Sequence, residues 1–259
     1  MNNLPAFNLN GKRGLVVGIA NEQSIAWGCA RYFAQAGAEL AITYLNDKAE
    51  VHVRPLADAV NARFLLPLNV DDDEQMNALF DTLQVEWGRI DFILHSIAFA
   101  PSQDLHGRVV DCSRQGFLSA MDISCHSLFR LVKRAEPLMT QGGSIITVSY
   151  YGAEKVVDHY SLMGPVKAAL ECSVRYLAAE LGASKIRVNA LSPGPLLTRA
   201  ASGIEHFDEL LSEHLKKSPL KRPLDLNDVG AFAQFLVSDA AKNITGSVHY
   251  IDGGYEIMD

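Results

Sequence analysis

The sequence predicts a doubly wound α/β domain with a seven-stranded parallel sheet and helices on both faces. Short β-branched or leucine-rich runs alternate with longer amphipathic segments along the whole chain. Strand, helix, strand repeated in this way calls for parallel neighbours, because such neighbours need crossover connections. With 259 residues, 48% of them hydrophobic, and with no internal repeat or linker, residues 1–259 read as a single domain.

The strands in order are Gly14 to Gly18 (GLVVG), Glu39 to Tyr44 (ELAITY), Arg63 to Leu68 (RFLLPL), Asp91 to Ile97 (DFILHSI), Ser144 to Ser149 (SIITVS), Ile186 to Leu191 (IRVNAL) and Ser247 to Ile251 (SVHYI). Helical patterns occupy 24–37, 47–61, 73–87, 115–139, 161–183, 204–217 and 227–241. Gly37 follows the first, Asp71 to Asp73 precede the third, and Asn227 is placed to cap the last. The fold is therefore Rossmann-like, and its ligands bind beyond the carboxyl ends of the strands, near the point where strand order reverses. That directs attention to Gly18 to Ser24, Leu45, Asn69, His95 to Ala100, Ser149 to Lys167 and the stretch from Ser192 onward.

The net charge of −7 comes from mixed acidic and basic residues without Lys/Arg clusters, which argues against a nucleic-acid partner. Cys29, Cys112, Cys125 and Cys172 are scattered and lack metal-ligand spacing, so buried free thiols in a reducing compartment are expected, and no metal. The start, MNNLPAFNLNGKR, is unlike a signal peptide, and no apolar run reaches membrane-spanning length. A soluble, cytoplasmic protein is expected. His95, His126 and His159 are isolated and read as core or surface histidines.

After the first strand, GIANEQSIAWG departs from the G-x-G-x-x-G dinucleotide fingerprint. It keeps Gly18 at the strand end, Ser24 at a helix start, and Gly28 where helix and strand would pack closely. Ser24 and the first-turn amides can hold a pyrophosphate at the positive end of the helix, or Ser24 can simply cap it. The second strand ends in TYLNDK, with Leu45 near the ribose position and no arginine for a 2′-phosphate, which favours NADH over NADPH, with Lys48 nearby. Asn69 can face an adenine edge or serve as a strand-end turn residue.

Taken in order, GIANEQSIAWG, HSIAFAP, SYYGAEK, YSLMGPVK, VRYLAAELG, RVNALSPGPLLT and HYIDGGY resemble the enoyl-acyl-carrier-protein reductase branch of the short-chain dehydrogenase/reductase superfamily, from Gly11 to about Tyr255. The resemblance implies that Gly18, Ser24, Ile25, Val70, Ile97, Lys167 and Leu196, Leu197, Thr198, Arg199 and Ala200 contact the cofactor, with Ala100 near the bound thioester. It also implies that Tyr150 and Tyr160 serve the reaction, and that a homotetramer forms through the long helices near 115–139 and 161–183. Several positions depart from the usual family pattern: Leu45 where a polar residue is common, Asn69 for Asp, Ala98 for Gly, Asp158 for the Pro before the catalytic tyrosine, and Pro165.

Two tyrosine–lysine pairs compete. Tyr151 and Lys155 are four apart, as in carbonyl-reducing relatives, but VVDH after them has no helical period, which places the pair on a loop. Tyr160 and Lys167 are seven apart, a turn of about 700° on a helix, and so can share a face about 10 Å apart along it. Pro165 is tolerated if Ser161 is the N-cap, because a first-turn N–H has no intrahelical partner. Hydride addition to C3 of an enoyl thioester generates an enolate whose oxygen needs a hydrogen-bond donor. Tyr160 is assigned that donation, and Lys167 is expected to reach the nicotinamide ribose and to lower the phenol's pKa. Tyr150, at the strand end, faces the same cleft as proton donor or wall.

Phe99, Met163, Pro195, Leu196, Ile204 and Phe207 form the apolar set expected to enclose an acyl chain, and PGP followed by ASGIEHF reads as a loop able to order over ligand. The sequence therefore points to an NADH-dependent reductase of trans-2-enoyl chains carried on acyl carrier protein in fatty-acid synthesis. Its rivals are a 3-oxoacyl-type carbonyl reductase and a non-catalytic nucleotide-sensing regulator.

Overall fold

All seven strands form in the computed structural model, which describes residues 7–198 and 207–259. They are β1 (Arg13–Val17), β2 (Glu39–Tyr44), β3 (Phe64–Pro67), β4 (Phe92–His95), β5 (Gly143–Val148), β6 (Ile186–Pro193) and β7 (Val248–Ile251). One parallel sheet joins them in the order β3-β2-β1-β4-β5-β6-β7. Order reverses at β1, which pairs with β2 on one side and with β4 on the other, Val17 lying opposite His95. The ligand crevice of such a sheet opens there.

The main helices are α1 (Ile25–Gln35), α2 (Asp47–Ala59), α3 (Asp73–Glu86), a single turn α4 (Ser102–Leu105), α5 (Arg114–Met121), α6 (Ser127–Ala135), α7 (Met163–Leu181), α8 (Phe207–Lys217) and α9 (Leu226–Val237). Successive strand residues point to opposite faces, so the sheet builds two apolar layers. Leu15, Ile93, Ile145 and Val188 face Met76 and Leu83 of α3, Leu128 of α6 and Leu170 of α7. Val16, Leu94, Ile146 and Leu191 face Phe33 of α1, Val53 of α2 and Val229 of α9.

Four local expectations are corrected. Helix α9 is capped by Asp225, which accepts from the Asn227 and Asp228 amides in a capping box closed by Asp228, so Asn227 lies inside the helix. Gly28 serves helix–helix rather than helix–strand packing: a Cβ there would lie 2.8 Å from Leu226 of α9. The helix expected over 115–139 is interrupted by a π-type turn, Asp122–His126, between α5 and α6. Helix α7 begins at Met163 rather than after Ser161, which puts Pro165 at its third residue, where a missing N–H still costs nothing.

Candidate active site

Gly18 follows β1 with φ +112°, and a Cβ there would stand 2.1 Å from the Ser96 carbonyl oxygen beyond β4. Only glycine lets the two strand ends approach this closely. Ser24 does not cap α1 with its side chain. Its Oγ accepts from the Ala20 and Asn21 amides, at 3.0 and 3.1 Å, and so shapes the loop, while the Ser24 carbonyl accepts from the Trp27 amide of the first turn at 2.9 Å. Ile25 opens that helix. Leu45, beyond β2, is 54% exposed. Asn69 takes the turn role: its Oδ1 accepts from the Asp71 amide at 3.2 Å. Val70 is buried and Ile97 half-buried, both in the apolar layer on the α3 side.

The end of β5 and the start of α7 bring the sequence-predicted tyrosines and lysine together. Tyr150 follows its last residues in extended backbone, φ −155° and ψ 150°. Tyr160 precedes α7, held between two left-handed residues, His159 (φ +62°) and Ser161 (φ +40°). Ser161 Oγ donates to the Gly107 carbonyl at 2.8 Å, tying this stretch to the loop after α4. The Tyr150 and Tyr160 rings meet at 4.8 Å between centroids, tilted by 60°. Around them Ala120, Leu162, Met163 and Val166 are buried, and Ala100 packs at the edge. The structure thus brings together Tyr150, Tyr160, Met163 and Ala100 from the sequence-based set.

Lys167 is 4% exposed, and its Nζ donates to the Val148 carbonyl at 2.7 Å. Burial lowers its pKa to about 8, against the pull of Cys125 and Glu171. The expectation that Lys167 would lower the Tyr160 phenol is overturned. Burial pushes that phenol up, Tyr150 and Glu171 add to the effect, and Lys167 spends its bond on the strand. Tyr150 is pushed up by burial as well. Two protonated phenols suit hydrogen-bond donation. His95 is wholly buried, bridging Thr147 Oγ1 and Ser127 Oγ at 2.8 Å each.

Tyr151 and Lys155 lie on a short 3-10 turn, Tyr151–Ala153, and its sequel, as the absence of helical period implied. The Tyr151 ring turns away from Tyr160 and packs edge-on against Tyr255, with centroids 5.5 Å apart. Both residues line a separate depression of about 480 Å³ with Lys217 and the C-terminal residues. Neither Tyr150, Tyr160 nor Lys167 belongs to its lining.

Among the apolar set, Phe99 is 47% exposed but its backbone is clamped: Ser124 Oγ, from the π-type turn, accepts from its amide and donates to its carbonyl, both at 2.9 Å. Such turns recur at functional sites. Pro195 is buried, Leu196 packs on the α1 layer, Leu197 is exposed, and the Thr198 amide donates to the Leu196 carbonyl at 2.8 Å. Phe207 is half-buried at the start of α8. Arg199, Ala200 and Ile204, with most of the loop expected to order over ligand, lie outside the described residues.

Sequence reasoning missed Ser124, the left-handed pair around Tyr160, and Ser149 with Glu171, whose side chains bond at 2.5 Å one residue before Tyr150 in the chain. Glu171 had a signal: it stands four residues after Lys167, and so on the same buried helix face. No group of His, Cys, Asp or Glu among the described residues is arranged to hold a metal ion.

The family model described as enoyl-(acyl carrier protein) reductase matches residues 18–256. An enoyl-(acyl-carrier-protein) reductase (NADH) of Nostoc sp. is 50% identical over 254 residues, covering 97% of this chain and 98% of that protein. The protein of the same name from Rickettsia felis is 47% identical over 250 residues, covering 96% of each. A crystal structure of the reductase of Anaplasma phagocytophilum in complex with NAD superposes with a TM-score of 0.93, at 47% identity, covering 96% of this chain and 95% of that one. Likeness over nearly the whole length, on a sheet that brings Tyr150, Tyr160 and Lys167 to one strand end, makes this chain a member of the enoyl-(acyl carrier protein) reductase family.

Proposed function

We propose that Tyr160, Lys167 and Tyr150 carry out, in this chain, the reduction of trans-2-enoyl thioesters on acyl carrier protein to saturated acyl thioesters, with NADH as cofactor. The observation that carries this reading is the ring contact of half-buried Tyr150 with buried Tyr160, close to the end of β5 that Lys167 grips. NADH supplies the hydride to C3 when bound. Tyr160 donates a hydrogen bond to the thioester oxygen as charge develops there, a contribution of ~3 kcal/mol in the transition state. Lys167 holds the ribose side of the crevice, and Tyr150 walls it or passes a proton to C2.

The cofactor crevice fits the group: the Ala20–Asn21 loop is drawn back by Ser24, and the α1 terminus faces the switch point. Gly18, Ser24, Ile25, Val70, Ile97, Leu196, Leu197 and Thr198 are proposed to line it. Leu45 and the absence of arginine beside it favour NADH. Asn69 is proposed to meet adenine through its amide nitrogen, since its oxygen holds the turn. Ala100, Phe99, Met163 and Phe207 are proposed to face the acyl chain.

Residues 1–259 are taken as one domain. A homotetramer is proposed from the exposed Phe117, Leu118, Phe129 and Tyr176, which lie on α5, α6 and α7 where a lone chain would leave them in water. No described helix is long and apolar enough to cross a membrane. Four free thiols suit a reducing compartment, and the cytoplasm is proposed.

The test is oxidation of NADH and NADPH measured in parallel against crotonyl and 3-oxoacyl thioesters. NADH with the enoyl substrate should dominate, and 3-oxoacyl turnover exceeding it would reject the reading.

A further inference from the structure

Glu171 is a carboxyl only 4% exposed, on a helix face otherwise filled by Leu170 and Val174, and the chemistry above gives it no task. Buried carboxylates persist when they are paired and hydrogen-bonded. Here Ser149 Oγ donates to Glu171 Oε1 at 2.5 Å, while one helical turn earlier Lys167 Nζ donates to the Val148 carbonyl at 2.7 Å. Two residues of α7 thus grip two consecutive residues at the end of β5, and the next residue is Tyr150.

We propose that Glu171 is a positioning residue for the reaction: with Lys167 it clamps the end of β5 to α7, so fixing Tyr150 against Tyr160, and it is the buried counter-charge of Lys167. The proposal rests on the assignment of Tyr150, Tyr160 and Lys167 as the reacting side chains. Lys167 feels the Cys125 thiol from the π-type turn, and its own charge acts on His95 from β4. Glu171 feels the charges of Arg175 on its own helix and Glu154 after β5, and its own charge acts on Tyr160 before α7 and Tyr250 from β7. Burial raises the carboxyl's pKa, and the Ser149 bond is the largest influence against that. Burial lowers Lys167, and Glu171 works against that. Removing the carboxylate therefore lets Lys167 lose its proton at lower pH.

The test is the pH profile of kcat/KM for crotonyl-thioester reduction by NADH, with NADH affinity and thermal unfolding measured alongside. Glu171→Gln keeps an acceptor oxygen for Ser149 and removes the charge. It should fold, and its alkaline limb should move down by about half a pH unit or more, an extra loss of about threefold above the limb compared with neutral pH. Ser149→Ala should lower kcat severalfold with NADH affinity unchanged, and it carries the test if Glu171→Gln does not fold. In a Lys167→Met background, Glu171→Gln should move the profile no further. An unmoved limb in Glu171→Gln, or unchanged kcat in Ser149→Ala, overturns the proposal. Unchanged turnover in Lys167→Met would instead remove the assignment on which it rests, so the two failures are distinguishable.

Discussion

Tyr150 and Tyr160, ten residues apart, pack ring against ring at 4.8 Å with a tilt of 60°, and burial holds both phenols protonated. The pair is an aromatic contact as well as a chemical one, worth about 1 kcal/mol beyond its buried area. Tyr150→Phe keeps the contact and should change stability by less than ~1 kcal/mol. Tyr150→Ala should lose the contact and lower both stability and turnover. Urea unfolding of the two variants separates the ring's contribution from that of its hydroxyl.

The aim of Tyr160 is set by its neighbours. His159 and Ser161 both adopt left-handed backbone, which costs an L-residue ~1–2 kcal/mol, least for Asn, Asp and His. His159→Asn should therefore leave stability and kcat close to those of the parent protein. His159→Val, β-branched in the same conformation, should lower stability by ~1–2 kcal/mol and reduce kcat more than it raises KM. Steady-state kinetics with thermal unfolding checks both.

His95 makes stability fall in acid. Burial first, and the Lys167 charge second, lower its pKa from 6.5 to about 3. Below pH 6.5 the unfolded chain binds a proton that the folded chain refuses, so stability present above that value is lost as pH falls toward 3, by ~1.4 kcal/mol per unit. The stability advantage of the parent protein over His95→Asn should accordingly shrink between neutral pH and about pH 5. Unfolding curves at successive pH values measure it, and an advantage independent of pH would contradict the assignment.

Cofactor choice should respond at Leu45. Its side chain is 54% exposed at the end of β2, with no arginine beside it to pair with a 2′-phosphate. Leu45→Arg should raise kcat/KM for NADPH relative to NADH by about tenfold, the worth of one well-placed charge-assisted bond. The ratio of the two cofactors' kcat/KM values reports this directly.

The strands were legible because their apolar runs are long, β-branched and bounded by glycine and polar turns, and all seven formed within a few residues of their expected limits. Helix ends were less so: Asp225 and Asn227 are both good caps, and only the reciprocal bond from Asp228 decides between them. The placement of Tyr151 outside any long helix was legible in the lack of helical period in VVDH. What the sequence could not carry was long-range geometry. Lys167 meets Val148 across nineteen positions of chain, Ser124 meets Phe99 across twenty-five, and no local pattern encodes either. The expected lowering of the Tyr160 phenol fails for the same reason: burial, which raises it, comes from long-range packing that no local pattern carries.

The central claim is that the Tyr160 hydroxyl stabilises the developing charge on the thioester oxygen. Single-turnover reduction of a crotonyl thioester by Tyr160→Phe, with NADH affinity measured on the same protein, tests it most directly. The rate should fall about a hundredfold, the equivalent of ~3 kcal/mol, with NADH affinity and fold unchanged. Turnover equal to that of the parent protein would contradict it.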